Sequence, residues 1–331
     1  MPAPDFSQPI SKILREGTTA AHEAIEYSPG STWLSRGELD KSEYTRLLMM
    51  LWHVYNALES ALETHAGHPV LQHTHDPVLL ARAPALAEDI AFFLRCPVST
   101  WQSNPAHTAL LLSHPAPLEA YESRIRALSE SGDAALLLAH AYVRYLGDLS
   151  GGQIIQRRVA RAYDLDVATG DGMRFYKFGA TDEARSTKQL KEWYRAGMNT
   201  GVGDDAHLKA EILAEANHVF ELNMHLYSLL SGPSSPSPRL DTKLALPILG
   251  DASPTQSDFG EDAPKEIPVE IVQSSSQPES LVSLGSVIAV VVAVCLAHFL
   301  LVTSGLTGTA WTEKLESMGL VAPAPPPPFA P

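Results

Sequence analysis

The chain has 331 residues, with 38 acidic and 24 basic side chains and a formal net charge of −14. Residues 1–231 hold 28 acidic and 20 basic residues, and the remainder 10 and 4, so neither part has the basic excess of a nucleic-acid binder and no nucleic acid is expected as a partner. Cys96 and Cys295 stand in different regions, which leaves no disulfide framework or paired-cysteine metal site and fits a reducing compartment for the main domain; the N-terminus, MPAPDFSQPISK, lacks a basic-then-apolar signal.

Up to about residue 231, apolar residues recur at helical spacing and no run alternates as a strand would, which predicts an all-α bundle. Ile10, Leu14, Ala21 and Ile25 mark one face of a first helix that ends before Ser28-Pro29-Gly30. Around His22, the residues Arg15, Thr18, Thr19 and Glu26 fall on one face. With 13 histidines in the chain, an ordinary half-buried residue is the simpler account of His22. Neutral imidazole is also a natural axial ligand for heme iron. In that case Arg15 reaches an anionic group on a ligand's edge and Glu26 holds the imidazole or a bound water.

Asp40-Lys-Ser-Glu43 predicts a capping box, opening a long helix through LLMMLWHVYNALESAL. Further helices are predicted over residues 77–95, 117–130, 133–167, 182–198 and 204–230, with Pro and Gly in the gaps. The stretch AHAYVRYLGDLSGGQIIQRRVARAY, residues 139–163, breaks the usual rules. Each interior Gly costs a helix about 1 kcal/mol relative to Ala, so Gly147, Gly151 and Gly152 together cost on the order of 2–3 kcal/mol. Gly147 and Gly151 share a face, where missing Cβ atoms let the backbone approach something flat and let the helix bend. Close helix–helix packing is the commoner use of such spacing. Against it stands Asp148, a carboxylate that would be costly at a tight apolar contact, with Arg144 one turn earlier to pair with it. Lys188, Lys191 and Arg195 form a basic face, either solvated or suited to gripping two carboxylates.

From Gly232 to about Pro278 the chain is rich in Pro, Ser, Asp and Gln and reads as a disordered linker, assigned to residues 232–280. Residues 281–302, LVSLGSVIAVVVAVCLAHFLLV, carry no formally charged side chain and are long enough to cross a hydrocarbon core of about 30 Å. His298 lies near one interface and Trp311 fits an interfacial anchor. A single late span followed by a short Pro-rich tail (303–331) is the pattern of a tail anchor. It puts the large domain in the cytosol, on the endoplasmic reticulum first and the outer mitochondrial membrane second.

RYLGDLSGGQ (144–153) closely resembles the distal-helix signature of heme oxygenases, and LREGTTAAHEAIE (14–26) looks like that family's proximal helix. KEWYRAGMN (191–199) and FELN (220–223) follow in family order. The resemblance covers roughly residues 8–230, making 1–231 the catalytic domain, and the tail matches the membrane-bound eukaryotic members. It implies a heme oxygenase-like multi-helix fold that cleaves heme to biliverdin, carbon monoxide and ferrous iron. Heme is both cofactor and substrate; O2 and electrons from NADPH, through a membrane flavoprotein reductase, complete the reaction. Carried over, His22 ligates the iron, and Gly147 and Gly151 lie over the distal face with Gly152 completing the bend. Asp148 organises the distal water, supported by Arg144. Arg15, Lys191, Arg195 and Tyr142 meet the propionates, Tyr142 on the resemblance alone because an ideal helix turns it away from the glycine face. Phe220 and Asn223 line the pocket. Thr19 and Gly197 depart from positions that are basic in many members, and residues 65–117 are more divergent, with HTHDP and SHPAP as loop insertions. A heme carrier or sensor has no need of Asp148. A thiaminase-like bundle needs a better nucleophile than Cys96, and a tethered interaction protein leaves the glycines unexplained.

Overall fold

Twelve α-helices and no strand make up residues 4–179 and 186–234, the residues that the structure, a computed structural model, describes. In chain order they are α1 Ile10–Gly17, α2 Thr19–Glu26, α3 Pro29–Arg36, α4 Lys41–Thr64, α5 Pro77–Leu80, α6 Ala83–Leu94, α7 Pro105–Leu112, α8 Ala116–Glu130, α9 Leu137–Asp148, α10 Gly151–Tyr163, α11 Thr187–Val202 and α12 Ala206–Ser228. The long α4 is the spine: Tyr44, Leu47, Leu48, Met50, Val54, Tyr55 and Leu58 are fully buried along it, between α6 and α8. Residues 137–146 of α9 are buried on every side, and the helix emerges only at Gly147 and Asp148. That all-round burial is the mark of a helix through the centre of a core. The α12 helix packs on α9, α2 and α3, so proximal and distal walls share one backing.

The expected all-α bundle is what the chain forms, with several boundaries displaced. The predicted first helix is two, α1 and α2, broken at Thr18 (φ −105°, ψ 4°). Thr18 Oγ1 donates to the Leu14 carbonyl at 2.7 Å and Thr19 Oγ1 to the Arg15 carbonyl at 3.0 Å, the back-bonding by which threonines bend helices. Ser28-Pro29-Gly30 ends α2 as expected but also starts α3. Ser28 is its N-cap and Pro29 its first residue, where a missing N–H costs nothing. A Cβ on Gly30 would lie 2.3 Å from the Tyr227 carbonyl oxygen, so glycine is what lets α3 settle on α12.

The capping box expected at Asp40 and Glu43 does not form. Asp40 makes no side-chain cap bond and accepts from the Ser234 N–H at 3.1 Å, while Glu43 grips Arg46 and the Ser231 N–H. A capping box stands instead at Ser186 and Gln189, opening α11. The predicted helix 77–95 is interrupted at Ala81 and Arg82, because Pro84 would meet the carbonyl of Leu80 in a continuous helix. The sequence reading omits α7, which Asn104 caps by accepting from the Ala106 N–H. The predicted helix 133–167 breaks at Leu149 and Ser150 and ends at Asp164, whose φ is +53°.

No helix among the described residues is long and apolar enough to cross a membrane. The linker 232–280 lies outside them beyond Ser234, as do the expected span 281–302 and the tail 303–331.

Candidate functional site

A cleft of about 690 Å³, its mouth included, opens between α2 and α3 on one side and the α9–α10 kink on the other, with α12 as its floor. His22, Ile25 and Glu26 come from α2, and Val143, Arg144, Gly147 and Asp148 from α9. Ser150, Gly151 and Gly152 come from the kink, and Phe220, Asn223 and Tyr227 from α12. The glycines decide what the cleft can hold. A Cβ built on Gly147 would meet nothing within 4 Å, so this glycine faces open space and not a packed helix. Gly152 differs: its Cβ would lie 3.4 Å from the Tyr176 ring, at ordinary contact.

His22 stands across the cleft from the kink elements, edge to face with Phe220 at a centroid distance of 6.0 Å. Its Nδ1 is buried with no hydrogen-bond partner, 3.7 Å from Glu26 Oε2. Burial lowers the imidazole pKa against the pull of Glu26 and Glu23, so the ring is neutral near pH 7. A neutral imidazole in a cleft is a metal ligand or a base.

The opposite wall carries a polar network. Tyr55, on α4, donates its hydroxyl to Asp148 Oδ2. Arg144 donates from Nε to the Tyr55 hydroxyl at 3.2 Å and from Nη1 to Asn223 Oδ1 at 2.8 Å, and lies 4.0 Å from Asp148 Oδ1. Asn223 in turn donates to the Val219 carbonyl. The expected Arg144–Asp148 pair is thus at the edge of contact, and Tyr55 is the closer link between them. Burial pushes the Asp148 carboxyl up, while Arg144, the Tyr55 hydroxyl and Arg82 draw it back. Burial has the largest effect, so this carboxyl holds a proton more readily than an ordinary aspartate, a perturbation that clusters at functional sites. Tyr55 itself is pushed well above its ordinary pKa by burial and remains a donor.

Nine of the residues singled out from sequence line this cleft: His22, Glu26, Arg144, Gly147, Asp148, Gly151, Gly152, Phe220 and Asn223. Arg15, Tyr142, Lys191 and Arg195 do not. Tyr142 is 1% exposed with its hydroxyl unpartnered. Burial raises its pKa to about 12, against Thr18 and the charges of Arg195 and Arg15, so those two arginines stand near it. Arg15 also reaches Glu16 at 3.6 Å. Lys191 is buried, whereas Lys188 is 72% exposed and 4.0 Å from Glu192, a solvated pair. His140 is wholly buried against Glu215 at 2.9 Å, outside the cleft.

Of the two departures, Gly197 has a structural cause. A Cβ there would fall 2.3 Å from the His73 carbonyl oxygen, and one on Gly201 2.3 Å from that of Val70. The turns before α5 therefore lie directly on α11, and a long basic side chain at position 197 is excluded by the segment that begins HTHDP. Thr19 spends its hydroxyl on the Arg15 carbonyl. Tyr55 and Tyr227 were missed from sequence. Tyr55 follows WHV in an apolar helix, where nothing marks it off from its core neighbours.

A family model described as heme oxygenase matches residues 8–228. Heme oxygenase 2 of Macaca fascicularis is 32% identical over 239 residues, 72% of this chain and 71% of that protein. Heme oxygenase 1 of Gallus gallus is 32% identical over 228 residues, 69% and 72% of the two chains. The solved heme oxygenase of Leptospira interrogans superposes with a TM-score of 0.58 at 36% identity, covering 67% of this chain and all of that one. Heme oxygenase-1 of the cyanobacterium Synechocystis, solved in complex with heme, gives 0.58 at 32% identity over 67% and 92% of the two chains.

Proposed function

The chain belongs to the heme oxygenase family and is a heme oxygenase enzyme, and from that premise we propose how its own residues bind heme and direct its conversion to biliverdin, carbon monoxide and ferrous iron. The cleft fits such a group. Open space over Gly147 suits a flat ligand, and the neutral imidazole of His22 in the same cleft suits a central metal. Bound there, heme supplies an iron to take up O2 and a porphyrin edge to be oxidised.

His22 offers the iron a neutral imidazole, and Glu26 orients the ring. Gly147 and Gly151 let backbone lie where a side chain would block the ring's face, and Gly152 carries the bend. Asp148 orders water on that face and hands on its proton, with Tyr55, Arg144 and Asn223 fixing where the carboxylate stands. Arg15, Lys191, Arg195 and Tyr142 stand outside the cleft lining, and their grip on the propionates rests on the family resemblance alone; Phe220 supports the His22 ring. Positioning and proton delivery are the protein's contribution. The observation that carries the reading is Asp148: a half-buried carboxyl at a glycine kink, facing a cleft and hydrogen-bonded by Tyr55.

The proposal extends to the tail on the strength of its uncharged run of residues. Residues 281–302 anchor the chain in the endoplasmic reticulum membrane, with the outer mitochondrial membrane second, and the domain faces the cytosol. A membrane flavoprotein reductase passes electrons from NADPH, and a shared membrane raises the effective concentration of the two partners. The test is anaerobic heme loading of the full chain in detergent, then air and a reducing system. Loss of the heme absorption band with biliverdin and iron appearing is expected; heme that stays bound and intact would favour a carrier instead.

A further inference from the structure

Beneath the kink, outside the cleft, lies a single 3₁₀ turn, Arg174–Tyr176, in the long connection between α10 and α11. Here it is gripped from both sides by a buried carboxyl and a buried guanidinium of one short stretch of chain. Asp89, on α6 and wholly buried, accepts the Arg174 N–H on Oδ1 at 2.9 Å and the Phe175 N–H on Oδ2 at 2.8 Å. Arg82 donates from Nη1 to the carbonyls of Phe175 and Lys177, and from Nε to that of Leu80. A carboxyl whose two oxygens both accept N–H groups, and a guanidinium that donates to the carbonyls, fix the turn in direction as no apolar packing would.

What the turn touches is the distal wall. The Phe175 ring meets Tyr55 edge to face at 5.7 Å, and Tyr55 is the donor to Asp148. The Tyr176 ring lies against Gly152, its carbonyl accepts from Gln153 Nε2 at 2.9 Å, and the same Gln153 nitrogen reaches the Asp148 carbonyl at 3.3 Å. Tyr176 is tied to α4 again through its hydroxyl, 3.0 Å from that of Tyr44. Two routes therefore run from the turn to Asp148, one through Tyr55 to its carboxylate and one through Gln153 to its backbone.

We propose that Asp89 is a positioning residue for the reaction: by holding the turn Arg174–Tyr176 it sets where Tyr55 and the kink stand, and so how Asp148 is presented to the cleft. The proposal rests on the role given to Asp148 above. Asp89 touches neither the cleft nor anything bound in it, and acts only through the turn. The side chain of Arg174 is half exposed and paired with Glu88 and Asp171; only its N–H takes part.

The test compares the full chain with Asp89→Asn, whose amide keeps the shape but accepts one N–H and turns a donor on the other. In ligand-free protein, ¹³C-carboxyl NMR of labelled aspartate follows the titration of Asp148, assigned with Asp148→Asn. A shift of its midpoint by about half a unit, roughly a threefold change in proton affinity, is expected. With heme, affinity stays within about threefold while turnover falls about tenfold, equivalent to ~1.4 kcal/mol of barrier. A merely structural Asp89 would lower the unfolding temperature and leave the Asp148 midpoint in place, and that result overturns the proposal. Should Asp89→Asn fail to fold, Phe175→Leu removes the contact with Tyr55 while keeping both hydrogen bonds to Asp89. An unmoved Asp148 midpoint there overturns it equally. The NMR arm needs no heme, so the two failures are distinguishable: a parent chain that does not turn heme over counts against the proposed function, and an Asp148 midpoint unmoved by Asp89→Asn counts against the role of Asp89.

Discussion

Gly147→Ala separates stability from function at one atom. The added Cβ meets nothing within 4 Å, and Gly147 is not among the glycines with positive φ, so alanine fits without strain. It sits near the end of α9, where the gain over glycine is part of the full ~1 kcal/mol seen in helix interiors. A stabilisation of about 0.5–1 kcal/mol corresponds to an unfolding temperature roughly 1–4 °C higher in a domain of this size. The same methyl stands in the space reserved for the ligand. Heme affinity should fall about tenfold, or ~1.4 kcal/mol, and the product isomers should broaden as the close backbone approach is lost. Scanning calorimetry of the ligand-free chain, heme titration by absorption and product chromatography read the three effects. A destabilised variant would show that Gly147 is packed against protein. Unchanged heme binding and an unchanged isomer pattern would show that the ligand lies elsewhere.

Gly197→Ala is the opposite case. Its Cβ would press on the His73 carbonyl at 2.3 Å, so a loss of about 1–3 kcal/mol is expected in denaturant melts, and equal stability would mean that the turns before α5 give way freely. Tyr55→Phe keeps the ring and removes the hydroxyl that joins Arg144 to Asp148. Leaving this half-buried carboxyl short of a partner costs at most about 1–3 kcal/mol, and the pH profile of turnover should shift with the Asp148 titration; an unchanged profile would remove Tyr55 from the network. Burial works to raise Glu215, but His140 and Arg124 outweigh it and bring its pKa to about 2. A depressed carboxylate stabilises fully above its unfolded value near 4.5, and that stability is lost as pH falls from there towards 2. Glu215→Gln should therefore flatten the acid limb of the stability curve, and an acid limb identical to the parent's would contradict the pairing.

The cleft was legible because its parts lie in short contiguous strings. RYLGDLSGGQ brings Arg144, the glycines and Asp148 onto one wall, and the string around His22 makes the other. What was not legible depends on long-range contacts. Tyr55 is an unremarkable member of α4 until α9 places Asp148 against its hydroxyl. Ser28-Pro29 ends one helix and begins another with the same residues, so the sequence pattern alone read only the stop. Asp40 and Glu43 have the spacing of a capping box, yet the chain returning at Ser231 and Ser234 claims their oxygens. Gly197 looked like a missing cation and proved to be a place where two backbones touch. Asp89 and Arg82 gave no signal, since the turn they hold follows more than 80 residues later.

The most direct test of the central claim is product analysis of heme-loaded Asp148→Asn beside the parent chain. The variant should bind heme with the parent's ferric spectrum and consume reductant, yet release no biliverdin, because the amide cannot pass on the proton. Biliverdin formed at the parent's rate would contradict the claim and place the oxygen-directing chemistry on another residue.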